Sequence, residues 1–243
     1  MLTEDEVRSS LIVALDCDKE YALELLGLLS GKARWVKVGM TLFYREGPAL
    51  IQEFRDRGFS VFLDLKLHDI PFQVEGAAYS AALAGADIIS LHALGSSKMI
   101  ESARKGVERA HEEMGCDAKL VAISVLTSMD AQALSEIGIE HSVASEVDRL
   151  GALAAAHGSH GMVCSAFEAH RMREIFGDKG LIVVPGVRPK GEACQDQARV
   201  ATPQFALSQG ASKLVIGRPI TQAAHPADAF EAIVEDICSA SQH

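Results

Sequence analysis

Charged side chains interrupt an apolar stretch of the sequence that runs from Phe62 to Pro71. Because side chains alternate between the two faces of a strand, the leucines at 63, 65 and 67 share one face, while Asp64 and Lys66 share the other. Burying charges is costly unless partners and hydrogen bonds compensate. The pair is therefore either a satisfied structural salt bridge or a reaction centre in which an ammonium group delivers a proton beside a fixed negative charge.

Further charges stand at the ends of neighbouring apolar runs. Asp16 closes the first run, Lys37 lies inside the second, and Asp69 follows shortly after Lys66. Alternating cations and anions on adjacent strands form a network in which each charge stabilises its neighbours. Stability alone seldom favours so many inward charges, so these positions favour a reaction centre.

The elements that position these residues follow a regular rhythm of strand and helix. Thr3 and Glu6 form a capping box for a short N-terminal helix before the first strand. Strands are predicted at 11–16, 35–40, 62–67, 88–93, 119–126, 162–165, 181–187 and 213–217. Helices are predicted at 19–30, 44–57, 73–84, 97–114, 130–157 with an interruption around Gly138, 167–176, 203–209 and 226–240.

Eight such units predict a single α/β domain over residues 1–243, a (β/α)8 TIM barrel with a short N-terminal helix. A doubly wound open sheet is the alternative, but no G-x-G-x-x-G follows the first strand. The active site of such a barrel lies at the carboxyl ends of its strands, which is where the charged residues stand.

The segments after strands seven and eight combine glycine with arginine. Gly186 precedes Arg188 in the first segment, and Gly217 precedes Arg218 in the second. Barrels commonly bind phosphate at these two loops, where glycine lets backbone N–H groups approach and arginine supplies a forked cation. The alternative is that both segments are tight turns with surface arginines. The occurrence of glycine and arginine in both loops together favours the phosphate site.

Composition excludes several classes of function. The formal net charge of −10 argues against a general binder of nucleic acid or of a membrane surface. The five cysteines are far apart and form no C-x-x-C pair, which suggests neither a disulfide framework nor a thiolate zinc site. The N-terminus is acidic and no apolar run is long enough to span a membrane, so we expect a cytoplasmic protein.

Motifs along essentially the whole chain resemble those of the orotidine 5′-phosphate decarboxylase family. The motifs are Leu15-Asp16, Lys37-Val38-Gly39, Asp64-Leu65-Lys66-Leu67-His68-Asp69-Ile70-Pro71, Leu126-Thr127-Ser128-Met129, Pro185-Gly186-Val187-Arg188-Pro189, Asp196-Gln197-x-Arg199-Val200 and Gly217-Arg218-Pro219-Ile220-Thr221. The Asp-x-Lys-x-x-Asp-Ile-Pro core with a lysine upstream is a highly specific signature.

This resemblance implies a cofactor-free, metal-free decarboxylation of orotidine 5′-monophosphate to uridine 5′-monophosphate, the last step of pyrimidine synthesis. It implies that Lys66 protonates C6, that Asp64 lies against the substrate carboxylate, and that Lys37 and Asp69 complete the charge network. It also implies a homodimer, in which Asp69 reaches the ligand of the neighbouring subunit. The resemblance also implies the residues that contact the substrate: Asp16 on the ribose, Thr127 on the pyrimidine, Arg188, Gln197, Gly217 and Arg218 on the 5′-phosphate, and in addition Lys37, Ile70, Pro71 and Gln73. The segment from Arg188 to about Gln197 is implied to be a closing loop.

The chain departs from the family pattern after Pro71. The family commonly has Asn-Thr there, whereas this chain has Phe72-Gln73, and an amide differs in reach from a threonine hydroxyl. His68 and His92 stand at strand ends. They are either metal ligands or structural histidines whose hydrogen bonds are satisfied, and the lack of a clear set of further metal-ligating residues favours structural histidines.

Two rival functions remain open from the sequence. A magnesium-dependent sugar-phosphate lyase or isomerase of the same superfamily shares the Asp-x-Lys-x-x-Asp motif but places a carboxylate where Lys37 stands. A non-catalytic nucleotide-binding barrel is the second rival, although binding alone does not require Lys66 in a charged cluster.

Overall fold

A computed structural model describes residues 2–189 and 201–240 of the chain. Within these residues, eight parallel strands close into a barrel in which each strand pairs with the next and β8 pairs with β1. The strands are β1 Leu11–Leu15, β2 Trp35–Gly39, β3 Ser60–Leu67, β4 Ile88–His92, β5 Lys119–Ile123, β6 Gly161–Val163, β7 Leu181–Pro185 and β8 Lys213–Ile216. The prediction of a (β/α)8 barrel is therefore confirmed.

One helix precedes β1, and one or more helices follow each strand around the outside of the barrel. They are α1 Glu4–Ser10, α2 Lys19–Leu29, α3 Met40–Glu46, α4 Ala49–Asp56, α5 Pro71–Leu83, α6 Ser96–Met114, α7 Ala131–Glu136, α8 Val143–Ala156, α9 Ala169–Phe176, α10 Pro203–Ser208, α11 Arg218–Thr221 and α12 Pro226–Ala240. None of the helices in the described ranges is both long enough and apolar enough to cross a membrane.

Local sequence signals explain several helix boundaries. The side chain of Thr3 accepts a hydrogen bond from the Glu6 N–H and that of Glu6 accepts one from the Thr3 N–H, which is the predicted capping box. The single helix predicted at 44–57 is instead two, α3 and α4. Gly47 ends α3 with a φ of 74°, and Pro48 cannot donate the next helical hydrogen bond, so the chain restarts there.

Two apolar layers hold the barrel together. The outer layer lies between the strands and the helices and includes Leu63 with the adjoining Leu65 and Leu67. The inner layer fills the barrel with side chains such as Phe62, Ile88 and Val183. Alternation along β3 thus sends the three leucines outward, as predicted, and sends positions 62, 64 and 66 inward.

Candidate functional site

Asp64 is the centre of a charged cluster inside the barrel mouth. Its Oδ2 lies 2.8 Å from the ammonium Nζ of Lys66 and 3.8 Å from that of Lys37. Its Oδ1 accepts a hydrogen bond of 2.8 Å from the hydroxyl of Ser90 on β4. The Asp64 side chain is only 12% exposed, so these partners replace water around the carboxylate.

Lys37 links Asp64 to the end of β1. Its Nζ donates to Asp16 Oδ1 at 3.0 Å, and its side chain is 11% exposed. Asp16 follows the last residue of β1 and is itself 68% exposed, so its second oxygen faces the mouth of the barrel. Gly39 keeps this space open, since a Cβ there would stand 3.2 Å from Lys37 Nζ and 3.4 Å from Asp16 Oδ1. The cluster therefore runs from Asp16 through Lys37 and Asp64 to Lys66.

The backbone at Lys66 has an unusual conformation. Its φ of 52° lies in the left-handed region, which a residue with a Cβ seldom occupies. The pairing of β3 with β4 shifts register in the same place, between Leu63 and Leu67. Such irregularities are enriched beside active sites, where they aim a side chain that a regular strand would direct elsewhere.

A cavity of about 170 Å³ opens beside these charges. Lys37, Asp64, Lys66 and Thr127 provide its polar atoms. Phe62, Ile123, Val125, Leu126, Val163, Pro185 and Val215 provide its apolar wall. An apolar pocket with a few convergent polar groups at the carboxyl ends of barrel strands is the arrangement expected of a small-molecule site.

The segment after β3 lies on the rim rather than in this cavity. Asp69 is exposed, its Oδ1 accepts from the Ile70 N–H at 2.6 Å, and it forms no ion pair with another described residue. Ile70 and Pro71 begin α5, with Ile70 62% exposed. Gln73 is also exposed and lines a separate surface groove with Phe72. In the single chain, Asp69 and Gln73 are thus apart from the charged cluster.

The two glycine–arginine loops lie where the sequence predicted them. Gly186 has a φ of 75°, and the Arg188 N–H after it donates to Ala201 O at 3.0 Å. Gly217 directly precedes α11, whose first residue is Arg218. A Cβ at Gly217 would lie 3.9 Å from Asp16 Oδ2, so the loop after β8 adjoins the Asp16 end of the cluster. Gln197 and most of the predicted closing loop lie outside the described residues.

His92 departs from its interpretation as a satisfied structural histidine. Its Nδ1 is buried and has no hydrogen-bond partner among the described residues, while its ring stacks at a tilt on that of His68 with 5.3 Å between centroids. Burial lowers the pKa of His92, and the neighbouring His68 and Lys66 lower it further. The lowered pKa favours the neutral form of His92 beside the charged cluster. No group of three or more potential metal ligands occurs among the described residues.

A second cavity, of about 370 Å³, lies at the opposite end of the barrel. Residues of α6, the start of β5 and His160 line it. Its charges pair locally, with Arg104 on Glu108 and Lys119 on Asp117. It lacks the inward carboxylate with two ammonium groups that the mouth of the barrel contains.

Ser90 is a site residue that sequence reasoning missed. Its hydroxyl donates to Asp64, accepts the Lys66 N–H at 2.9 Å, and is fully buried. A serine within an apolar strand is the one available signal, because a buried hydroxyl needs partners. The sequence does not say which partners those are.

Comparison with known proteins connects this geometry to one family. The model of the "Orotidine 5'-phosphate decarboxylase / HUMPS family" matches residues 9–233. Orotidine 5'-phosphate decarboxylase of Cutibacterium acnes is 43% identical over 227 residues, which cover 93% of this chain and 94% of that one. The enzyme of the same name from Maridesulfovibrio salexigens is 44% identical over 233 residues, 95% of this chain and 100% of the relative.

Solved structures agree with the sequence comparison. The crystal structure of orotidine 5'-phosphate decarboxylase from Lactobacillus acidophilus aligns with a TM-score of 0.83 and 37% identity, over 94% of this chain and 99% of that one. An uncharacterized conserved protein from Geobacillus kaustophilus aligns with a TM-score of 0.82 and 35% identity, over 93% and 99% of the two chains.

Proposed function

Because the chain belongs to the orotidine 5′-phosphate decarboxylase / HUMPS family, we propose that it converts orotidine 5′-monophosphate to uridine 5′-monophosphate and carbon dioxide in pyrimidine biosynthesis. The observation that carries the proposal is the contact of Asp64 with the ammonium group of Lys66 at 2.8 Å in the wall of the cavity at the barrel mouth. A proton donor and a fixed carboxylate are the two groups that this chemistry needs.

Lys66 is the proton donor of the reaction. The bond between C6 and the carboxylate carbon breaks, carbon dioxide leaves, and the electron pair stays on C6 in an orbital that the ring delocalises poorly. The ammonium group of Lys66 stabilises this charge and transfers a proton to C6, after which the neutral amine regains a proton from solvent. Because Lys66 is held by Asp64, its ammonium group is oriented before substrate binds.

Asp64 and Lys37 set the electrostatics around the leaving group. Asp64 lies against the substrate carboxylate, and the repulsion between the two anions disappears as carbon dioxide departs. Lys37 holds Asp64 and Asp16 at the same time, 3.8 Å and 3.0 Å from its Nζ. It thereby keeps the catalytic carboxylate and the ribose-binding carboxylate in one rigid frame.

The substrate extends from β2 and β3 across β1 to the phosphate loops. Asp16 holds the ribose hydroxyls, Thr127 in the cavity wall contacts the pyrimidine, and Ile70 and Pro71 border the ligand at the rim. Arg188, Gln197, Gly217 and Arg218 grip the 5′-phosphate. The closeness of Gly217 to Asp16 supports this assignment, since ribose and phosphate are adjacent in the nucleotide. Binding energy from the remote phosphate fixes the geometry at C6.

Asp69 acts from the neighbouring subunit of a homodimer. It is exposed in the single chain, beside Ile70 and Phe72, which are 62% and 81% exposed. Tyr44, after the adjacent strand β2, is 74% exposed. Large apolar side chains that are exposed after adjacent strands are typical of a protein interface. Pairing of two such rims buries this surface and brings each Asp69 toward the partner's charge network.

The reaction uses side-chain charges in place of a metal or cofactor. The rival magnesium-dependent lyase needs a carboxylate to hold its metal where this chain has Lys37. The Lys37 ammonium group already bridges Asp16 and Asp64, so a divalent cation there would meet a like charge. Lys37 at this position therefore favours the decarboxylase over the lyase.

The test is turnover of orotidine 5′-monophosphate by purified protein in the presence of EDTA, followed by loss of the substrate absorbance and by chromatography of the product. We expect rapid conversion to uridine 5′-monophosphate that EDTA leaves unchanged. No conversion, or conversion that stops with EDTA and returns with Mg²⁺, would contradict the proposal and favour one of the two rivals.

A further inference from the structure

The register between β3 and β4 changes around one residue. Leu63 pairs with Ile89 and Leu67 pairs with Leu91, so three residues of β3, from Asp64 to Lys66, face only Ser90 on β4. A bulge of this kind removes backbone partners from the residues it inserts. Within this irregular segment, the inward-facing Asp64 and Lys66 have their charged groups 2.8 Å apart.

The Ser90 hydroxyl takes the place of the missing backbone partner. It accepts the Lys66 N–H at 2.9 Å, and it donates to Asp64 Oδ1 at 2.8 Å. The direction of both bonds is fixed, because a backbone N–H can only donate and the hydroxyl must then send its own proton to the carboxylate. One fully buried oxygen atom thus joins the backbone of the proton donor to the side chain of its counter-ion.

We propose that Ser90 is a positioning residue for the decarboxylation, an inference that rests on the proposed function. It secures the left-handed backbone of Lys66, whose φ is 52°, by accepting the N–H that the bulge frees. It also occupies Asp64 Oδ1, which leaves Oδ2 as the oxygen that faces both lysines. Ser90 therefore fixes how far the Lys66 ammonium group can move from the reacting carbon without itself touching substrate.

Removal of the hydroxyl separates this role from ordinary stability. In Ser90→Ala, the Lys66 N–H and Asp64 Oδ1 both lose their hydrogen-bond partner. Loss of a hydrogen bond to a charged group is large enough to lower kcat by about 10- to 100-fold. We expect that fall in kcat with KM for orotidine 5′-monophosphate and affinity for uridine 5′-monophosphate changed less than about threefold, because Ser90 does not contact the nucleotide. Ser90→Thr keeps the hydroxyl and is expected to retain most of the activity.

Ser159→Ala is the matched control. Ser159 is another buried serine, just before β6 at the opposite end of the barrel, and its hydroxyl donates to Gly161 O at 2.7 Å. We expect this variant to lower Tm without lowering kcat. Wild-type protein in the same assay reports on the proposed function, so its inactivity would overturn both ideas. Two results with an active wild-type protein would overturn the role of Ser90 alone. One is a kcat of Ser90→Ala within about twofold of the wild-type value, and the other is a kcat of Ser90→Thr as low as that of Ser90→Ala.

Discussion

Asp64 divides its two carboxylate oxygens between different kinds of partner. Oδ1 accepts from a neutral hydroxyl, while Oδ2 faces two ammonium groups at 2.8 Å and 3.8 Å. Hydrogen bonds to ionised groups are shorter and stronger than neutral ones, and in a largely buried site they are screened little by solvent. The charged cluster is thus preorganised in the chain itself, and such preorganisation is the main source of transition-state stabilisation in many enzymes.

A second residue with an unusual environment, His160, predicts how stability depends on pH. Burial lowers its pKa from 6.5 to about 4, assisted by the Arg104 guanidinium, while its Nδ1 accepts the Leu120 N–H at 2.9 Å. Its pKa is lower in the folded than in the unfolded chain, so its contribution to stability is present above pH 6.5 and is lost as the pH falls from there to about 4.

The His160→Asn variant isolates this contribution, because asparagine keeps an acceptor for Leu120 but does not titrate. The measurement is the free energy of unfolding in urea at about pH 7 and about pH 5. The loss of stability between the two pH values should be smaller in the variant than in the wild type. An equal loss in both proteins would contradict the assignment.

At the residue scale, the sequence predicted the charged residues better than their supports. Charges at alternating positions in an apolar run are conspicuous, so Asp64, Lys66 and Lys37 could be found from their types and spacing. Ser90 could not, because its importance depends on a register shift and on the positive φ of Lys66, neither of which one sequence encodes visibly. Asp69 was found with these charges, just beyond Lys66, whereas its reach into a neighbouring subunit was implied only by the family resemblance and stays a proposal.

At the element scale, the helices pack on one another through glycines as well as through apolar side chains. Gly106 in α6 lies against the backbone of α5, where an added Cβ would stand 2.3 Å from Glu75 O. Backbone cannot move aside as a flexible side chain can. This contact explains a glycine in the middle of a long helix, where it is otherwise unfavourable.

Gly106→Ala is expected to destabilise the protein by about 1–3 kcal/mol despite the better helix propensity of alanine. Gly27→Ala is the control, since Gly27 is exposed within α2 and a Cβ there meets no atom of the described residues within 4 Å. That change should be neutral or stabilise by up to about 1 kcal/mol. Thermal unfolding of both variants checks the prediction, and equal Tm values for the two would contradict it.

The order of elements was predictable from the sequence, whereas some of their ends were not. Eight apolar runs separated by helical patterns gave the barrel, and Thr3 with Glu6 gave the first helix start. The break at Gly47 and Pro48 was missed because the apolar pattern continues across it. β5 ends at Ile123 rather than 126, since the apolar residues that follow line the cavity instead of continuing the strand.

At the scale of the whole molecule, closure of the barrel joins two parts of the site that are far apart in sequence. The charged cluster belongs to β1, β2 and β3, and the glycine–arginine loops follow β7 and β8. Pairing of β1 with β8 makes these groups neighbours, so that Gly217 adjoins Asp16. The proposed phosphate and ribose contacts therefore lie next to each other along one arc of the barrel mouth.

The proposed sharing of Asp69 between subunits predicts complementation between two inactive variants. In light scattering, the protein should have about twice the chain mass of 26.0 kDa. Lys66→Ala and Asp69→Ala homodimers should each have little activity, because every site lacks one residue. In a mixed dimer, one site lacks both residues and the other is intact, so unfolding and refolding the mixture together should restore about a quarter of wild-type activity. Activity no greater than the sum of the two variants alone would contradict the shared site.

The most direct test of the account is the rate of Lys66→Ala on orotidine 5′-monophosphate, with Lys119→Ala as the control. Lys119 is a lysine at the far end of the barrel, paired with Asp117. Loss of a general acid costs about 100- to 10,000-fold. We predict at least that fall in kcat for Lys66→Ala, with affinity for uridine 5′-monophosphate largely kept and Lys119→Ala unchanged. Lys66→Ala turnover within about tenfold of wild type would contradict the central claim that Lys66 delivers the proton.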